Sequence, residues 1–309
     1  MNTSPFRFAC APVSWGVQDD PGLGWKQPYE QVLDEIVSAG YEGTELGPYG
    51  YFPTDPEVLG PILRQHGLVL LSSFVPVPLN GEADTASVVS HIQAVGSLLS
   101  ELEAPLLVLA DRQTLERQQL AGRVPADGSK SLTANQWKQV GNLVAEIEAA
   151  ATDYGLRLVF HPHVATYVET PWEVERFFDS VRSTTVGLCL DTGHCVYGGG
   201  DPIEEARKYR SLLRYLHVKD VDATRLAEAR EKKLAFNEAV EAGVFSPAGQ
   251  GCVRFPEIFQ ELRSQGYSGW AVVEQDIIYG KSAIPPVESM RISLRYLTEI
   301  ASGNGHTNG

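Results

Sequence analysis

Four stretches decide the fold of this chain: LVFHPH (158–163), GLCLDTGH (187–194), RYLHVKD (214–220) and AVVEQD (271–276). Each contains a short apolar run followed by His, Asp or Glu side chains. Continuous apolar runs of this kind are typical of parallel strands that helices cover on the outside. Because the carboxyl ends of parallel strands meet at one rim of a barrel, we expect the four polar ends to converge on one site.

Eight short apolar runs alternate with amphipathic stretches along the chain. The predicted strands are Phe6–Ser14, Gly43–Leu46, Val69–Phe74, Leu106–Ala110, Leu156–His161, Val186–Leu190, Tyr215–Val218 and Ala271–Glu274. Strands that alternate with helices indicate a parallel sheet, and eight units favour closure into a (β/α)8 TIM barrel. We predict an α/β fold with a single barrel domain over residues 1–300 and a disordered polar tail over residues 301–309.

Helix boundaries between these strands carry recognisable signals. The segment Thr133–Gln136 has the pattern of a capping box before a long helix. Thr170 and Asp201 each stand before a proline, as a cap residue stands before a first-turn proline. Glycines that suit the left-handed end of a helix precede several strands, at Gly40, Gly67, Gly155 and Gly266.

Two connections are unusually long and both follow strands. One covers residues 111–131, and the other covers residues 220–253 with a helical patch near Leu226–Ala242. Long connections in compact domains are often lids or binding loops. We therefore expect both at the rim that carries the polar strand ends.

Composition and charge narrow the class of protein. The chain has 309 residues, 43% of them hydrophobic, and a formal net charge of −14, which argues against binding to a nucleic-acid backbone. No stretch of about 18 apolar residues could span a membrane, and no secretion signal is recognisable at the start. The four scattered cysteines include no C-x-x-C motif and indicate reduced thiols, so we expect a cytoplasmic protein.

Histidines and carboxylates at the strand ends are side chains that suit a divalent metal ion. Asp191, His217 and Glu274 occupy matching places on three strands. His161 and His163 lie two residues apart, so either can be a fourth ligand while the other holds a substrate oxygen. The mixed nitrogen and oxygen ligands favour Mn²⁺ or Co²⁺, with Zn²⁺ and Mg²⁺ as alternatives.

Two more polar residues join these strand ends. His194 follows Asp191 by three residues, and Lys219 follows His217 by two, on the same face of its strand. A cluster of His, Lys and Asp at a rim is not a core pattern. Both residues are therefore candidates for the chemistry of the site.

Five other residues are candidates for contact with a substrate. Glu45 ends the second predicted strand and makes either a substrate contact or a structural ion pair. Trp15 and Phe74 could form apolar walls against a sugar or cyclitol ring, although core filling is the stronger alternative for Phe74. Arg112 and Arg254 are the obvious partners for a substrate carboxylate.

Several other classes of protein fit the sequence poorly. It contains no G-x-S-x-G motif of a serine hydrolase and no G-x-G-x-x-G after the first strand for a dinucleotide. A barrel phosphodiesterase with three metals needs more ligands than seven histidines suggest, and a basic surface. A barrel that only binds a sugar or a partner remains an alternative, which metal content would test.

The same segments resemble a known group of proteins. LDTGH, HVKD and VVE are similar to the xylose-isomerase-like barrel superfamily of sugar-phosphate isomerases and epimerases. Within it the chain most resembles the inosose dehydratases, which dehydrate 2-keto-myo-inositol in inositol catabolism. The segments that carry this likeness are APVSWG (11–16), GYEGTELGPYGYFPTDP (40–56), FHPHVAT (160–166), DTGHCVYGGGDP (191–202) and FNEAVEAGVFSPAGQG (236–251).

The resemblance implies metal ligands at Asp191, His217 and Glu274, and it places His161 where the isomerases and epimerases carry a glutamate. Those epimerases use two glutamates, one on each face of the substrate, whereas this chain keeps only Glu274. The difference argues against a symmetric two-base epimerisation. It is compatible with elimination of water, which needs one base and one acid.

We therefore expect a metal-dependent hydro-lyase that acts on a small polyhydroxylated keto-cyclitol. A metal ion on those four ligands would act as a Lewis acid at the substrate carbonyl. The candidate bases are Glu274, His163 and Lys219, in falling order, and the candidate acids are His194 and Lys219.

Two alternatives stay open at this point. One is an isomerase or epimerase of a ketose on the same metal site, and the other is a dehydratase of another alicyclic keto acid such as 3-dehydroshikimate. Barrel enzymes often associate, but no feature of the sequence identifies an interface, so a homo-oligomer is left open.

Overall fold

The computed structural model describes residues 4–18 and 26–302. Within these ranges eleven strands form one large parallel sheet and one small antiparallel pair. The strands are β1 Phe6–Cys10, β2 Gly43–Thr44, β3 Val69–Leu70, β4 Ser72–Val77, β5 Leu106–Asp111, β6 Arg157–Phe160, β7 Gly187–Asp191, β8 Leu213–Val218, β9 Asp220–Val221, β10 Phe245–Ser246 and β11 Gly269–Val273.

The large sheet closes into a barrel. Its order is β3-β2-β1-β11-β8-β7-β6-β5-β4, so the two end strands are β3 and β4. Only Leu71 separates these two in the sequence, and they are the two halves of one interrupted strand. One half pairs with β2 and the other with β5, both in parallel. The barrel therefore has eight strand positions, as the sequence predicts.

All eight predicted strands are confirmed, with shifted ends. The largest shift is in the first, which ends at Cys10 rather than at Ser14 and continues as a 3₁₀ helix over Pro12–Trp15. Pro12 has no backbone N–H to donate to a neighbouring strand, and its fixed φ suits the start of a helix.

Helices surround the barrel and connect its strands. They are α1 Tyr29–Ala39, α2 Pro56–His66, α3 Thr85–Glu101, α4 Leu115–Leu120, α5 Ala134–Thr152, α6 Pro171–Ser180, α7 Thr192–Tyr197, α8 Pro202–Lys208, α9 Ala223–Glu231, α10 Phe236–Glu241, α11 Phe255–Ser264 and α12 Pro286–Ala301. The predicted caps are confirmed: Thr133 and Thr170 form capping boxes, and the Asp201 side chain accepts the N–H of Ile203.

Alternation along the strands separates two cores. Val159, Cys189, Tyr215 and Val272 belong to a small cluster inside the barrel, whereas their sequence neighbours pack outward against the helices. Successive side chains of a strand point to opposite faces, so a residue two positions on faces the same side. The residues two positions beyond these four are His161, Asp191, His217 and Glu274. The pleat of the sheet therefore directs the four predicted ligands into the mouth of the barrel.

The two long connections carry structure of their own. The first, predicted as a loop, contains α4. The second contains α9 and α10, where the sequence predicts one helical patch, and its β9 and β10 pair in antiparallel fashion. None of the helices in the described ranges is long and apolar enough to cross a membrane.

The predicted tail begins inside a helix, because α12 runs through Ala301. Residues 303–309 lie outside the described part of the chain. The boundary of a single domain at residue 300 stays a prediction.

A buried ion pair fixes the first long connection to the barrel. The guanidinium of Arg117 in α4 donates two hydrogen bonds to the carboxylate of Glu173 in α6, at 2.8 and 2.9 Å. Both side chains are at most 1% exposed. Glu169 lies farther from the guanidinium, at 3.9 Å, so loss of Glu173 would leave the buried charge of Arg117 poorly compensated.

Replacing Glu173 by Ala should lower the free energy of unfolding by about 3–5 kcal/mol, because Arg117 would keep only the more distant carboxylate of Glu169 and α6 would lose its capping box. The matched control is Glu175→Ala in the same helix, whose exposed pair with Lys208 should contribute less than about 1 kcal/mol. Urea unfolding of both variants measures the difference. If both substitutions lowered the free energy of unfolding equally, the buried Arg117–Glu173 pair would contribute no more to stability than an exposed pair.

Candidate metal and substrate site

Four side chains from four strands meet inside the rim of the barrel. His161 follows β6, Asp191 ends β7, His217 lies in β8 and Glu274 follows β11. Each offers a ligand atom, and these atoms all lie within 4.8 Å of one another. All four side chains are buried. The structure thus brings together the complete set of ligands that the sequence predicts, and it includes His161 rather than His163 in that set.

The polar atoms of this cluster are incompletely satisfied. His161 Nε2 lies 3.4 Å from Asp191 Oδ2, and His217 Nδ1 lies 3.2 Å from Glu274 Oε2. Nevertheless, His161 Nδ1, Asp191 Oδ2 and His217 Nδ1 are buried with no hydrogen-bond partner. Buried polar atoms without partners are unusual in folded proteins and often indicate an ion or a water. Two imidazoles with two carboxylates form a donor set that fits a divalent transition metal.

Lys219 joins the cluster through its ammonium group. Its Nζ lies 3.3 Å from Asp191 Oδ2, 3.1 Å from Glu274 Oε2 and 2.8 Å from Asp276 Oδ1. Burial lowers the pKa of Lys219, but the three carboxylates outweigh burial and raise it above its ordinary value. These contacts favour Lys219 as a cation and a proton donor, and its role as a base stays a prediction.

Gly193 makes room for this lysine. A Cβ at Gly193 would lie 2.6 Å from Lys219 Cγ, closer than real contacts allow. The glycine of the DTGH segment thus has a packing reason, independent of its backbone conformation. It leaves room beside α7 for the side chain of Lys219, which follows β8.

His163 and His194 form a second pair beside the cluster. Their ring centroids are 3.7 Å apart, and His194 Nε2 lies 2.9 Å from Lys219 Nζ. His163 Nδ1 lies 2.6 Å from the carbonyl oxygen of Val164. Burial and then the charges of His194 and His161 hold the pKa of His163 well below its usual value. A neutral ring that donates from Nδ1 keeps a lone pair on Nε2.

Asp276 is a site residue that the sequence analysis missed. Its carboxylate lies between Lys219 and His194, with Oδ2 at 3.4 Å from His194 Nε2. Burial raises the pKa of Asp276, but the charges of Lys219 and His194 hold it well below the usual range. Its spacing of two residues from Glu274 in VVEQD was the available signal, since both residues then face the same side.

The predicted substrate contacts lie in different places. Phe74 is half-buried, and its ring lies 5.6 Å from that of His161 and 6.1 Å from that of His163, so it lines the site. Glu45 lies inside the barrel, 3.0 Å from His217 Nε2. Of the two alternatives for Glu45, the structure shows the ion pair.

Trp15 and Arg112 lie apart from the cluster. Trp15 is fully buried and donates its indole N–H to Glu35 in α1 at 2.7 Å, so its ring fills the core. This packing does not support the expected wall against a substrate ring. Arg112 follows β5 at the rim with its side chain exposed, and the contacts of the described residues include none between it and the cluster.

Two aromatic rings of the second long connection cover the histidine pair. The ring of Phe236 lies 5.7 Å from that of His163, and the ring of Phe245 lies 5.6 Å from that of His194. The sequence predicts this connection at the rim but does not indicate which of its residues face inward. Together with Phe74, these rings make the site apolar between its charged groups.

Glu169 ties the histidine loop to the first long connection. Its carboxylate accepts the N–H of Ala165 at 2.8 Å and that of Gly122 at 2.7 Å. Ala165 has a φ of 68°, a left-handed conformation that few residues other than glycine adopt. Burial raises the pKa of Glu169 to about 7, although the nearby Arg117 opposes the shift.

The sequence of this chain is similar to one protein family and to several known proteins over most of its length. The family model described as a xylose isomerase-like TIM barrel matches residues 33–300. The chain is 35% identical over 273 residues to the rhizopine catabolism protein MocC of Rhizobium meliloti, covering 87% of this chain and 81% of that one. It is 32% identical over 274 residues to the inosose dehydratase of Geobacillus kaustophilus, covering 88% of each chain.

Solved structures agree on the fold. The crystal structure of the IOLI protein with a binding zinc atom superposes with a TM-score of 0.70 and 15% identity, covering 97% of this chain and 100% of that chain. At this identity the likeness concerns the architecture alone.

Glu169 should make stability depend on pH. Its pKa lies near 7 in the folded protein and near 4.5 when exposed, so the folded state holds the extra proton between these values. Stability from this group is therefore full below pH 4.5 and falls as pH rises toward 7. Glu169→Gln should make the free energy of unfolding less dependent on pH in this range, by up to about 1.4 kcal/mol per pH unit.

Urea unfolding at several pH values between 4.5 and 7 measures the slope. The control is Glu175→Gln, an exposed glutamate whose replacement should leave the slope as in the wild type. Parallel curves for the wild type and Glu169→Gln would contradict the prediction.

Proposed function

The chain belongs to the xylose isomerase-like TIM barrel family, and from that premise we propose that it is a metal-dependent dehydratase of a keto-cyclitol such as 2-keto-myo-inositol. It is an enzyme of the hydro-lyase class, like the inosose dehydratases to which it is similar. The proposed reaction removes a proton from the carbon next to the carbonyl and a hydroxyl group from the carbon after it.

A divalent ion fits the four-ligand cluster, because three of its buried polar atoms have no hydrogen-bond partner. His161, Asp191, His217 and Glu274 would hold the ion, which supplies Lewis acidity at the substrate carbonyl when bound. The two imidazoles favour Mn²⁺, Co²⁺ or Zn²⁺ over Mg²⁺.

The observation that carries the proposal is the pair of His163 and His194 beside Glu274, the one glutamate of the ligand cluster. His161 stands where the resemblance places the second glutamate of the epimerases, which leaves Glu274 without a symmetric counterpart. In its place the site offers His163 and His194 with the Lys219 ammonium 2.9 Å from His194. A neutral imidazole that accepts a proton and an ammonium that donates one suit elimination of water. Epimerisation would instead need a second group that returns the proton to the opposite face of the substrate.

His163 is the base that this geometry favours. Its Nε2 lone pair is left available by the contact of Nδ1 with the Val164 carbonyl. Burial raises the pKa of Glu274, but the charges of His217 and Lys219 lower it to about 2, which makes this carboxylate a weak base. We therefore place His163 before Glu274, the reverse of the order that the sequence suggests.

Lys219 and His194 form the acid side of the site. The ammonium is held by Asp276 at 2.8 Å and touches His194, so it can donate a proton to a departing hydroxyl directly or through the imidazole. The departing group then leaves as water, and the electrons of the broken C–H bond form the new double bond.

The walls of the site suit an uncharged ring. Phe74, Phe236 and Phe245 lie beside His163 and His194 and would give apolar surroundings to the C–H groups of a cyclitol. Of the two arginines considered for a substrate carboxylate, Arg112 is exposed and Arg254 is paired with Asp201 at 2.6 Å. This arrangement favours a keto-cyclitol over a keto acid.

A proton NMR time course in D₂O tests the proposal. The protein is loaded with Mn²⁺ or Co²⁺ and incubated with 2-keto-myo-inositol. The metal is removed with a chelator from each sample before its spectrum is recorded. We expect loss of ring protons together with a dehydrated dione. Metal-free protein should leave the substrate unchanged, and 3-dehydroshikimate should not be turned over. Deuterium incorporation or a new stereoisomer without loss of water would instead assign the protein as an epimerase.

His163→Ala should slow turnover by about 100- to 10,000-fold, the range for loss of a general base, while Co²⁺ binding stays at the wild-type level. Exchange of the α proton with D₂O should fall in parallel, because the same group removes that proton. The matched control is His66→Ala in α2, a histidine that contacts Ile62 and Asp34 and should leave turnover unchanged. Normal α-proton exchange in His163→Ala would return the base role to Glu274.

A further inference from the structure

Glu45 lies beside the four-ligand cluster, in contact with His217. It follows β2 directly, its side chain is 2% exposed, and its Oε1 lies 3.0 Å from Nε2 of His217. A carboxylate this deeply buried needs a charged or hydrogen-bonded partner. In the described part of the chain, Glu45 forms an ion pair with His217.

The two ring nitrogens of His217 have different surroundings. Nε2 contacts the Glu45 carboxylate, whereas Nδ1 is buried without a hydrogen-bond partner and lies 3.2 Å from Glu274 Oε2. A carboxylate accepts and cannot donate, so the hydrogen in the short contact belongs to Nε2. The nitrogen that remains for an ion is Nδ1, on the side of the cluster.

Glu45 is itself held in place from two other strands. Ser72 in β4 donates its hydroxyl to Glu45 Oε1 at 2.8 Å, and the Ser72 hydroxyl lies 3.4 Å from the hydroxyl of Tyr215 in β8. The backbone N–H of Glu45 also lies 3.4 Å from the carbonyl oxygen of Cys10 in β1. The carboxylate therefore has one orientation, which points at His217.

We propose that Glu45 is a positioning residue of the metal centre, which accepts the Nε2–H of His217, fixes its tautomer and presents Nδ1 to the ion. This inference rests on the metal dependence of the proposed function. Partners of this kind behind a ligating histidine raise its basicity, and their loss typically weakens metal binding by about 10- to 100-fold. Glu45 thus acts through His217 and does not touch the substrate.

The first test measures binding of Co²⁺ alone, by competition with a chromophoric chelator. Glu45→Gln should bind Co²⁺ about 10-fold more weakly than the wild type, and Glu45→Ala about 100-fold more weakly. The matched control is Glu35→Gln, which replaces another carboxylate that accepts a ring N–H, that of Trp15, away from the cluster. It should bind Co²⁺ as the wild type does. Wild-type affinity in both Glu45 variants would overturn the proposal.

The second test needs no variant and therefore does not depend on whether Glu45 substitutions fold. In the Zn²⁺-loaded wild type with ¹⁵N-labelled histidine, long-range proton–nitrogen spectra distinguish the two ring nitrogens. We expect His217 to carry its proton on Nε2 and to bind zinc through Nδ1. A zinc-bound Nε2 with the proton on Nδ1 would overturn the proposal.

These readouts separate the inference from the proposed function. If Glu45→Gln weakens Co²⁺ binding but 2-keto-myo-inositol is not dehydrated, the role of Glu45 stands and the substrate falls. If dehydration occurs and the Glu45 variants bind Co²⁺ normally, the function stands and the role of Glu45 falls. If the wild type binds no Co²⁺ at all, both fall.

Discussion

The burial of negative charge at the mouth of the barrel is the constraint on which the rest of the site depends. Four carboxylates, those of Glu45, Asp191, Glu274 and Asp276, lie in contact with ring nitrogens or with the single ammonium of Lys219. Burying unbalanced charge costs several kcal/mol per ion unless partners compensate it. The proposed divalent cation among His161, Asp191, His217 and Glu274 would add positive charge to that of Lys219.

Buried carboxylates also anchor the loops around the site. Asp111 accepts the N–H of Tyr167 at 2.7 Å, and Glu169 accepts that of Ala165 at 2.8 Å, so buried carboxylates outside the cluster hold the loop that carries His161 and His163. Asp220 accepts hydrogen bonds from the N–H groups of Gly249, Gly251 and Val253. These bonds hold the end of the second long connection against its beginning. The proposed transfer of protons by His163, His194 and Lys219 would depend on fixed distances between these groups.

Much of the barrel and its ligand set could be predicted because both follow from local rules. Eight apolar runs indicate eight strands, and the period of two along each strand places His161, Asp191, His217 and Glu274 on the inner face. The ends of the first strand were less predictable, since Pro12 turns the chain into a 3₁₀ helix that buries Trp15.

The residues that the sequence did not reveal depend on how long connections fold back. Phe236 and Phe245 face the histidine pair only because α10 and the β9–β10 pair return over the rim. Arg117 and Glu173 are 56 residues apart, and nothing local identifies them as partners. The protonation of Lys219 likewise depends on Asp191 at the end of β7 and on Glu274 and Asp276 after β11. It could be inferred only once the distances from the ammonium to these carboxylates were known.

The most direct measurement is anomalous diffraction from crystals of the Mn²⁺-loaded protein. The account predicts one strong peak per chain, within coordination distance of His161, Asp191, His217 and Glu274, with Lys219 outside the coordination sphere. A peak at the neighbouring group of His163, His194 and Asp276 instead, or no peak in the barrel mouth, would contradict it.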